Sequence, residues 1–167
     1  MGAHRKLKNG NSESEDMRLL KECLGQYYCS RMRRKQLERR LEEIRHEMNA
    51  PIGEIHYGSR GNKSISHRNP GAAGLVFRKA GYESRIQEQR EEAEKALLMV
   101  MDILDYLEPY SDERMILELR YIDNREWNDI ADEMCMSRSA CFYKKEFGLK
   151  RLLGIDGVRD ILRAYQS

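Results

Sequence analysis

The sequence predicts an all-α protein: a long antiparallel helical hairpin, similar to a coiled coil, followed by a C-terminal helix-turn-helix domain. Three observations support this fold class. Apolar residues recur at spacings of three and four over two long stretches, charged residues make up 35% of the 167 positions, and the chain contains only 3 prolines. An average soluble domain is about 25% charged. A charge-rich chain with few helix breakers is typical of long helices with solvated faces.

The first predicted helix covers residues 17–48. Its stripe of apolar residues has helical spacing and consists of Met17, Leu20, Leu24, Tyr27, Leu37, Leu41, Ile44 and Met48. A long helix with such a stripe needs a partner that buries it. Residues 1–16 have no apolar period, and we expect a disordered tail there. Pro51 lacks an N–H group and disfavours helix in the residue before it, so the helix should end near Asn49.

Residues 49–81 have the composition of a flexible Gly-rich linker. They contain six of the 12 glycines and two of the 3 prolines, and no helical or strand period is present. Five basic residues and one acidic residue give this stretch a charge of +4. That charge could contact a phosphate backbone, but a solvated tether is the favoured interpretation.

The helical period returns in residues 82–107. The second stripe consists of Tyr82, Ile86, Ala93, Leu97, Val100, Leu104 and Leu107. This helix is the natural antiparallel partner of residues 17–48, because its acidic face complements their basic face. The pairing could form within one chain or between two chains as a homo-oligomer, and both alternatives stay open. Pro109 ends the helix and leaves residues 109–167 as a separate domain.

The charge is strongly polarised along the chain. The total of 30 basic and 28 acidic side chains gives only +2. Residues 82–134 hold 16 acids and six bases, whereas residues 135–167 hold seven bases and three acids. A near-zero total therefore does not argue against DNA binding, and we expect any DNA contact to be confined to the last third of the chain.

Several classes of function find no support in the sequence. No apolar stretch is long enough to span a membrane and no secretion signal begins the chain, so we expect a cytoplasmic protein with no membrane partner. The four histidines are scattered, and neither a phosphate-binding loop nor a nucleophile elbow is present. We therefore expect no catalysis, no metal and no cofactor. The spacing of the four cysteines does not match a zinc site, which predicts reduced thiols serving as small apolar groups.

The helix-turn-helix prediction depends on local signals after Pro109. Ser111 is suited to cap a helix, and Asn124 is suited to end it. A short helix then runs from Trp127 to Met134, with the small Ala131 where a second helix could cross it. Ser137 can cap that second helix.

The opening residues of the second helix, Arg138, Ser139 and Ala140, should face outward. In a helix-turn-helix these positions meet base edges in the major groove, and Tyr143 lies further along the same exposed side. Contacts to DNA phosphates are expected from a set of polar and basic residues flanking this surface. They are Ser137, Lys144, Lys145, Lys150 and Arg151.

Residues 113–153 resemble the promoter-recognising region 4 of bacterial sigma factors. Over residues 17–153 the chain resembles the RinA/ArpU-like phage regulators of late transcription. The resemblance is sharpest in three pieces: LELRYID at 117–123, the run with Trp127, Ile130, Ala131 and Met134, and Met-Ser-Arg-Ser at 136–139. It implies double-stranded DNA and RNA polymerase as partners at a promoter, without catalysis. It also implies that Arg138, Ser139 and Tyr143 contact bases.

Four positions depart from the pattern of this family. Asn124 stands where a turn glycine is usual, Glu126 replaces the usual Ser or Thr cap, and Cys135 occupies a position where glycine is common. Lys144 stands where an apolar residue normally packs inward. Asparagine is among the few residues besides glycine that accept a left-handed backbone, so Asn124 is compatible with a turn.

Two alternatives remain at this point. The chain could be the DNA-recognition subunit of a phage packaging complex, similar to a small terminase, in which a helix-turn-helix lies beside an oligomerising coiled coil. The C-terminal domain could also be a small helical bundle whose basic last helix is only solvated. For the basic run Arg31–Arg34, a solvated helix face is favoured over DNA contact.

Overall fold

The computed structural model describes residues 7–49 and 72–166, which form six α-helices and, within these ranges, no β-strand. The helices are α1 Leu7–Asn49, α2 Ala72–Leu104, α3 Asp112–Tyr121, α4 Trp127–Glu133, α5 Arg138–Leu153 and α6 Asp156–Gln166. The all-α prediction is therefore confirmed. The chain divides into two compact units, here called the first unit (Met1–Arg31 with Glu91–Ser167) and the second unit (Met32–Arg90).

Both long helices begin earlier than the sequence predicts. Residues 7–16, predicted as a tail, are helical, and so are residues 72–81, predicted as part of the linker. A helix whose later turns are packed adds one hydrogen bond for each residue it gains, so it can extend through a stretch without an apolar period. The predictions for residues 1–6 and 50–71 lie outside the described residues.

In the second unit, α1 and α2 run antiparallel. Leu41 and Ile44 of α1 are buried. Arg45 forms an ion pair with Glu83 at 3.7 Å, and Glu47, later in α1, pairs at 3.6 Å with the earlier α2 residue Arg78. These two ion pairs join α1 and α2 of one chain with opposite polarity, and the homo-oligomer stays a prediction.

The first unit is built on one large apolar core to which five helices contribute. Its buried members are Leu20, Cys23 and Leu24 of α1, Val100, Ile103 and Leu104 of α2, Leu107, Leu117 of α3, Leu149, Leu152 and Leu153 of α5, and Val158 and Leu162 of α6. Because the hairpin and the C-terminal helices share this core, the two compact units do not coincide with the predicted domains 17–107 and 109–167.

Helix α6 is absent from the sequence-based description. Val158 and Leu162 are buried in the large core, and Ile161 and Tyr165 pack against it. The spacing of these four residues is the ordinary signature of one apolar helix face, so the signal was available in the sequence. Helix α6 supports α5 from the side facing the core.

Candidate nucleic-acid interface

Helix α3 is capped at its start by Ser111, as the sequence predicts, and its C-cap is Ile122, two residues before Asn124. The Arg114 backbone N–H donates to the Ser111 hydroxyl oxygen at 3.3 Å, and Asp112 and Glu113 lie in the first turn. At the other end, Asn124 has a left-handed φ of 55°. Asparagine tolerates this backbone better than most residues, because its short polar side chain can bond locally. The chain can therefore leave α3 and begin α4 after a short connection.

Four residues connect α4 to α5, and their backbone closes α4 with a Schellman motif. Cys135 has a φ of 51°, the left-handed conformation for which glycine is preferred. Its N–H bonds to the Asp132 carbonyl at 3.1 Å, and the Met136 N–H bonds to the Ala131 carbonyl at 2.9 Å. The cysteine thus adopts a backbone conformation for which glycine is the usual residue. The turn fixes the direction in which α5 begins.

A second, smaller core holds α3, α4 and α5 together. Its buried residues are Ile116, Leu119, Ile130, Ala131 and Cys141. Ala131 is 7% exposed, in keeping with the close approach expected of a small residue. Trp127 packs against this core, and its ring lies 4.2 Å from the ring of Phe142 between centroids. Trp127 therefore serves to anchor α4 on α5.

Ser137 caps α5. The Ala140 backbone N–H donates to the Ser137 hydroxyl oxygen at 3.2 Å, which satisfies one of the free N–H groups at the start of the helix. Arg138 and Ser139, in the first turn, are exposed, and no acidic residue lies in that turn. The start of α5 is therefore ordered, open to solvent and without negative side chains.

Helix α5 has a buried side and an opposite exposed side. The buried side consists of Cys141, Gly148, Leu149, Leu152 and Leu153. The residues called here the exposed stripe lie on the other side and are Ser139, Tyr143, Phe147 and Lys150. Arg151 is exposed beside the stripe. Three of the predicted DNA contacts thus share one face of one helix.

Lys144 contacts the protein itself. Its ammonium nitrogen lies 3.1 Å from Glu113 Oε1 and 3.2 Å from Asp112 Oδ2. The hydrogen bonds to Glu113 and then to Asp112 raise the pKa of Lys144 above its ordinary value. Glu113 is a buried carboxylate, so this contact joins α5 to the first turn of α3 and supplies the counter-charge that a buried acid needs.

Lys145 is also engaged within the fold. Its ammonium nitrogen lies 2.8 Å from Glu146 Oε1 and 5.5 Å from the centroid of the Trp127 ring, and the side chain is 14% exposed. Glu146 in turn accepts from Lys21 of α1 at 3.1 Å. The hydrogen bond from Lys145, followed by that from Lys21, lowers the pKa of Glu146. Through this network α1 holds α5 in place.

The structure separates the predicted phosphate contacts into two groups. Lys150 and Arg151 are exposed and have no carboxylate partner among the described residues, while Lys144 and Lys145 are bound by carboxylates. Ser137 is exposed, but its oxygen is occupied by the helix cap. All five remain predictions, and the two that carry a free positive charge, Lys150 and Arg151, lie in the last turn of α5.

The sequence-based list of site residues omits Phe147. This side chain is 48% exposed and stacks on Tyr143, with ring centroids 6.5 Å apart and an interplanar angle of 16°. Tyr143 is itself 70% exposed. The two residues are four apart, a helical spacing that places them on one face, so the pairing could have been predicted.

A further concentration of basic residues lies in the second unit. An open groove of about 360 Å³ between α1 and α2 is lined by Arg33, Gln36, Leu37, Arg40, Arg85, Glu88 and Gln89. Its three arginines form no ion pair with any described residue, whereas neighbouring Arg34 and Arg39 pair with Glu38 and Glu43 one turn away. This groove provides a control surface for tests of DNA binding.

No family model matches the chain, and no curated protein or solved structure matches it significantly. Across residues 7–49 and 72–166, no helix is long and apolar enough to cross a membrane. The same residues contain no cluster of three or more His, Cys, Asp or Glu side chains arranged to hold a metal ion.

Proposed function

We propose that this chain is a sequence-specific DNA-binding transcription regulator, encoded by a phage or prophage and acting in the cytoplasm at promoters together with RNA polymerase. No catalytic step or cofactor is part of the proposal. The observation that carries it is the exposed, capped and acid-free start of α5, held on α4 by the turn at Cys135. In this proposal α4 and α5 are the two helices of a helix-turn-helix, and α5 is its recognition helix.

The chemistry of α5 fits the major groove of DNA. This groove is about 12 Å wide and accepts one α-helix, whose first turns then meet the base edges. Arg138 can donate to guanine and Ser139 can bond to several bases, while Tyr143 presents an aromatic ring one turn later. Double-stranded DNA is therefore the partner for which the residue types on this face are suited.

The positive charge at the end of α5 supports a backbone contact. Lys150 and Arg151 are free to neutralise phosphates, and each neutralised phosphate releases counterions. Carboxylates already neutralise Lys144 and Lys145, so we assign these two lysines the smaller share of the phosphate contact. Their main contribution is to fix the orientation of α5 relative to α3 and α1.

The proposed action at promoters and the proposed contact with RNA polymerase are inferred from the resemblance to RinA/ArpU-like regulators and to sigma region 4. Fold alone does not determine function, so the role at promoters needs its own test. The test is selection of genomic fragments bound by the full chain, followed by mapping of the bound sites relative to neighbouring genes.

Transcriptional control predicts bound sites upstream of late structural genes. One site next to a packaging origin, together with sedimentation of the protein as a large ring, would instead support the packaging subunit. Failure of the full chain to enrich any fragment would contradict DNA binding altogether, whereas equal enrichment by Lys150→Ala/Arg151→Ala would contradict only the assigned phosphate contacts.

A further inference from the structure

The exposed stripe of α5 contains an aromatic pair where a nucleic-acid interface would be expected to be polar. Tyr143 and Phe147 are 70% and 48% exposed and stack on each other. Neither ring belongs to the two cores of the first unit. Two aromatic rings that remain exposed on a helix forgo the stabilisation that burial would give them. An exposed apolar patch of this kind is expected to contact a ligand that has an apolar component.

One such component exists in the major groove of DNA. The C5-methyl group of thymine is the apolar feature of the base edges there, and side chains recognise it by apolar contact. An aromatic ring that enters the groove next to polar Ser139 can cover this methyl group while its neighbours form hydrogen bonds. Cytosine and the purines offer no equivalent surface for the ring.

We infer that Tyr143 confers specificity for thymine by covering its methyl group, and that Phe147 acts as a positioning residue that holds the Tyr143 ring. This inference rests on the proposed DNA-binding function. It adds the base that the helix selects and a role for Phe147. Because Phe147 lies one helical turn after Tyr143, its ring supports the tyrosine from the side away from the helix N-terminus.

The charges around the aromatic pair favour DNA over a protein partner. Lys150 shares the exposed stripe, and Arg138 and Arg151 flank it. The one carboxylate of α5, Glu146, is already bound by Lys21 and Lys145. On α5, an apolar pair that shares its face or its flanks with three free cations and with no unpaired acid complements methyl groups that lie between two rows of phosphates.

The experiment compares thymine with deoxyuridine, which lacks only the methyl group. A duplex is first selected from random-sequence DNA by the full chain, and its thymines are then replaced one at a time by deoxyuridine. We expect one or two replacements to weaken binding by the full chain, each by about fourfold, the value of one buried methyl-sized group. Tyr143→Ala should bind the thymine duplex more weakly and lose the difference between the two duplexes.

Three further variants isolate the role of the ring. Tyr143→Phe keeps the ring and should keep the thymine preference, whereas Phe147→Ala should reduce that preference without abolishing DNA binding. Tyr110→Ala is the matched control, because Tyr110 is 94% exposed and lies outside α5. This variant should bind both the thymine and the deoxyuridine duplex with the affinity of the unchanged chain. Circular dichroism of each variant verifies that the helices remain folded.

The outcomes separate this inference from the proposed function. If the full chain selects no duplex, DNA binding itself fails. If it selects a duplex but binds thymine and deoxyuridine versions equally at every position, the DNA proposal stands and the thymine inference is overturned. Unchanged DNA affinity in Tyr143→Ala would also overturn the inference.

Discussion

Lys144 Nζ lies 3.1 Å from Glu113 Oε1, so a lysine of α5 neutralises a buried carboxylate of α3. The contact fixes α5 against the first turn of α3, and it occupies a lysine that the sequence predicts as a phosphate ligand. It also gives a structural role to a polar residue on the part of α5 that faces α3. The pair therefore stabilises the packing of α5 on α3.

The first prediction concerns this pair. Lys144→Met should lower the urea midpoint of unfolding, because it leaves the Glu113 carboxylate buried without its cation. Adding Glu113→Gln to the same chain should recover part of the loss. Lys150→Met, which removes an exposed lysine of the same helix, is the control and should leave the midpoint unchanged. Equal midpoints for Lys144→Met and Lys150→Met would show that the pair adds nothing to stability.

The second prediction concerns the close approach of α3 and α5 at Gly148. A Cβ atom at this position would lie 3.0 Å from Glu113 Cβ and 3.2 Å from Leu117 Cδ1, so alanine would force the helices apart. Gly25 of α1 is also helical, but a Cβ atom there would meet nothing within 4 Å. Gly25→Ala should gain roughly 0.5–1 kcal/mol in the free energy of unfolding from backbone entropy.

Gly148→Ala has the same entropic gain and adds the cost of overpacking, typically about 1–3 kcal/mol. In denaturant unfolding, the free energy of unfolding of Gly148→Ala should therefore be at least about 1 kcal/mol lower than that of Gly25→Ala. If the two variants gain stability equally, α3 and α5 do not approach as closely as described.

The third prediction is a pH dependence. Lys145 and Lys21 lower the pKa of Glu146 below its ordinary value of 4.5 in the folded chain. A lowered folded pKa means that the stabilisation is present above pH 4.5 and is lost as the pH falls below it. Glu146→Gln should therefore cost less than about 1 kcal/mol at pH 7 and weaken the loss of stability in acid.

The matched control for Glu146→Gln is Glu108→Gln, an exposed acid with no ion pair among the described residues. Urea unfolding at pH 7 and below pH 4.5 provides the comparison. Parallel pH profiles for the two variants would argue against the proposed role of Glu146.

The fourth prediction concerns the four free thiols. Cys23 and Cys141 are buried, and burial raises the pKa of both, that of Cys23 to about 11. Cys29 and Cys135 are exposed. Because the thiolate is the reactive form, a chromogenic disulfide reagent should titrate Cys29 and Cys135 rapidly and the other two only after unfolding. Cys29→Ser and Cys135→Ser should each remove one rapid thiol, and four equally rapid thiols would contradict the buried positions.

The sequence predicts the hairpin well because its signal is local. Apolar spacing identifies α1 and α2, and Ser111, Asn124 and Ser137 mark helix ends where the structure has them. The apolar period places the starts of α1 and α2 too late, because a packed helix extends through residues without a period. The structure adds helix α6, whose apolar face is present in the sequence.

The partners of charged side chains could not be predicted in the same way. Lys144 contacts Glu113, 31 residues away, and Glu146 contacts Lys21, 125 residues away. No periodicity encodes such tertiary pairs, so the sequence assigns Lys144, Lys145, Lys150 and Arg151 the same role, contact with DNA phosphates. The prediction that the four cysteines act as small apolar groups fits Cys23 and Cys141 and is wrong for exposed Cys29 and Cys135, because spacing alone does not specify burial.

The central claim is that α5 binds DNA through its exposed face, and its most direct test is the salt dependence of affinity for the selected duplex. The logarithm of the association constant should fall linearly with the logarithm of the salt concentration. Lys150→Ala/Arg151→Ala should reduce the slope by about 2, since each contributes one phosphate contact. Arg33→Ala/Arg40→Ala, in the groove of the second unit, should leave it unchanged. An identical slope for the full chain and Lys150→Ala/Arg151→Ala, or a reduced slope only for Arg33→Ala/Arg40→Ala, would contradict the claim.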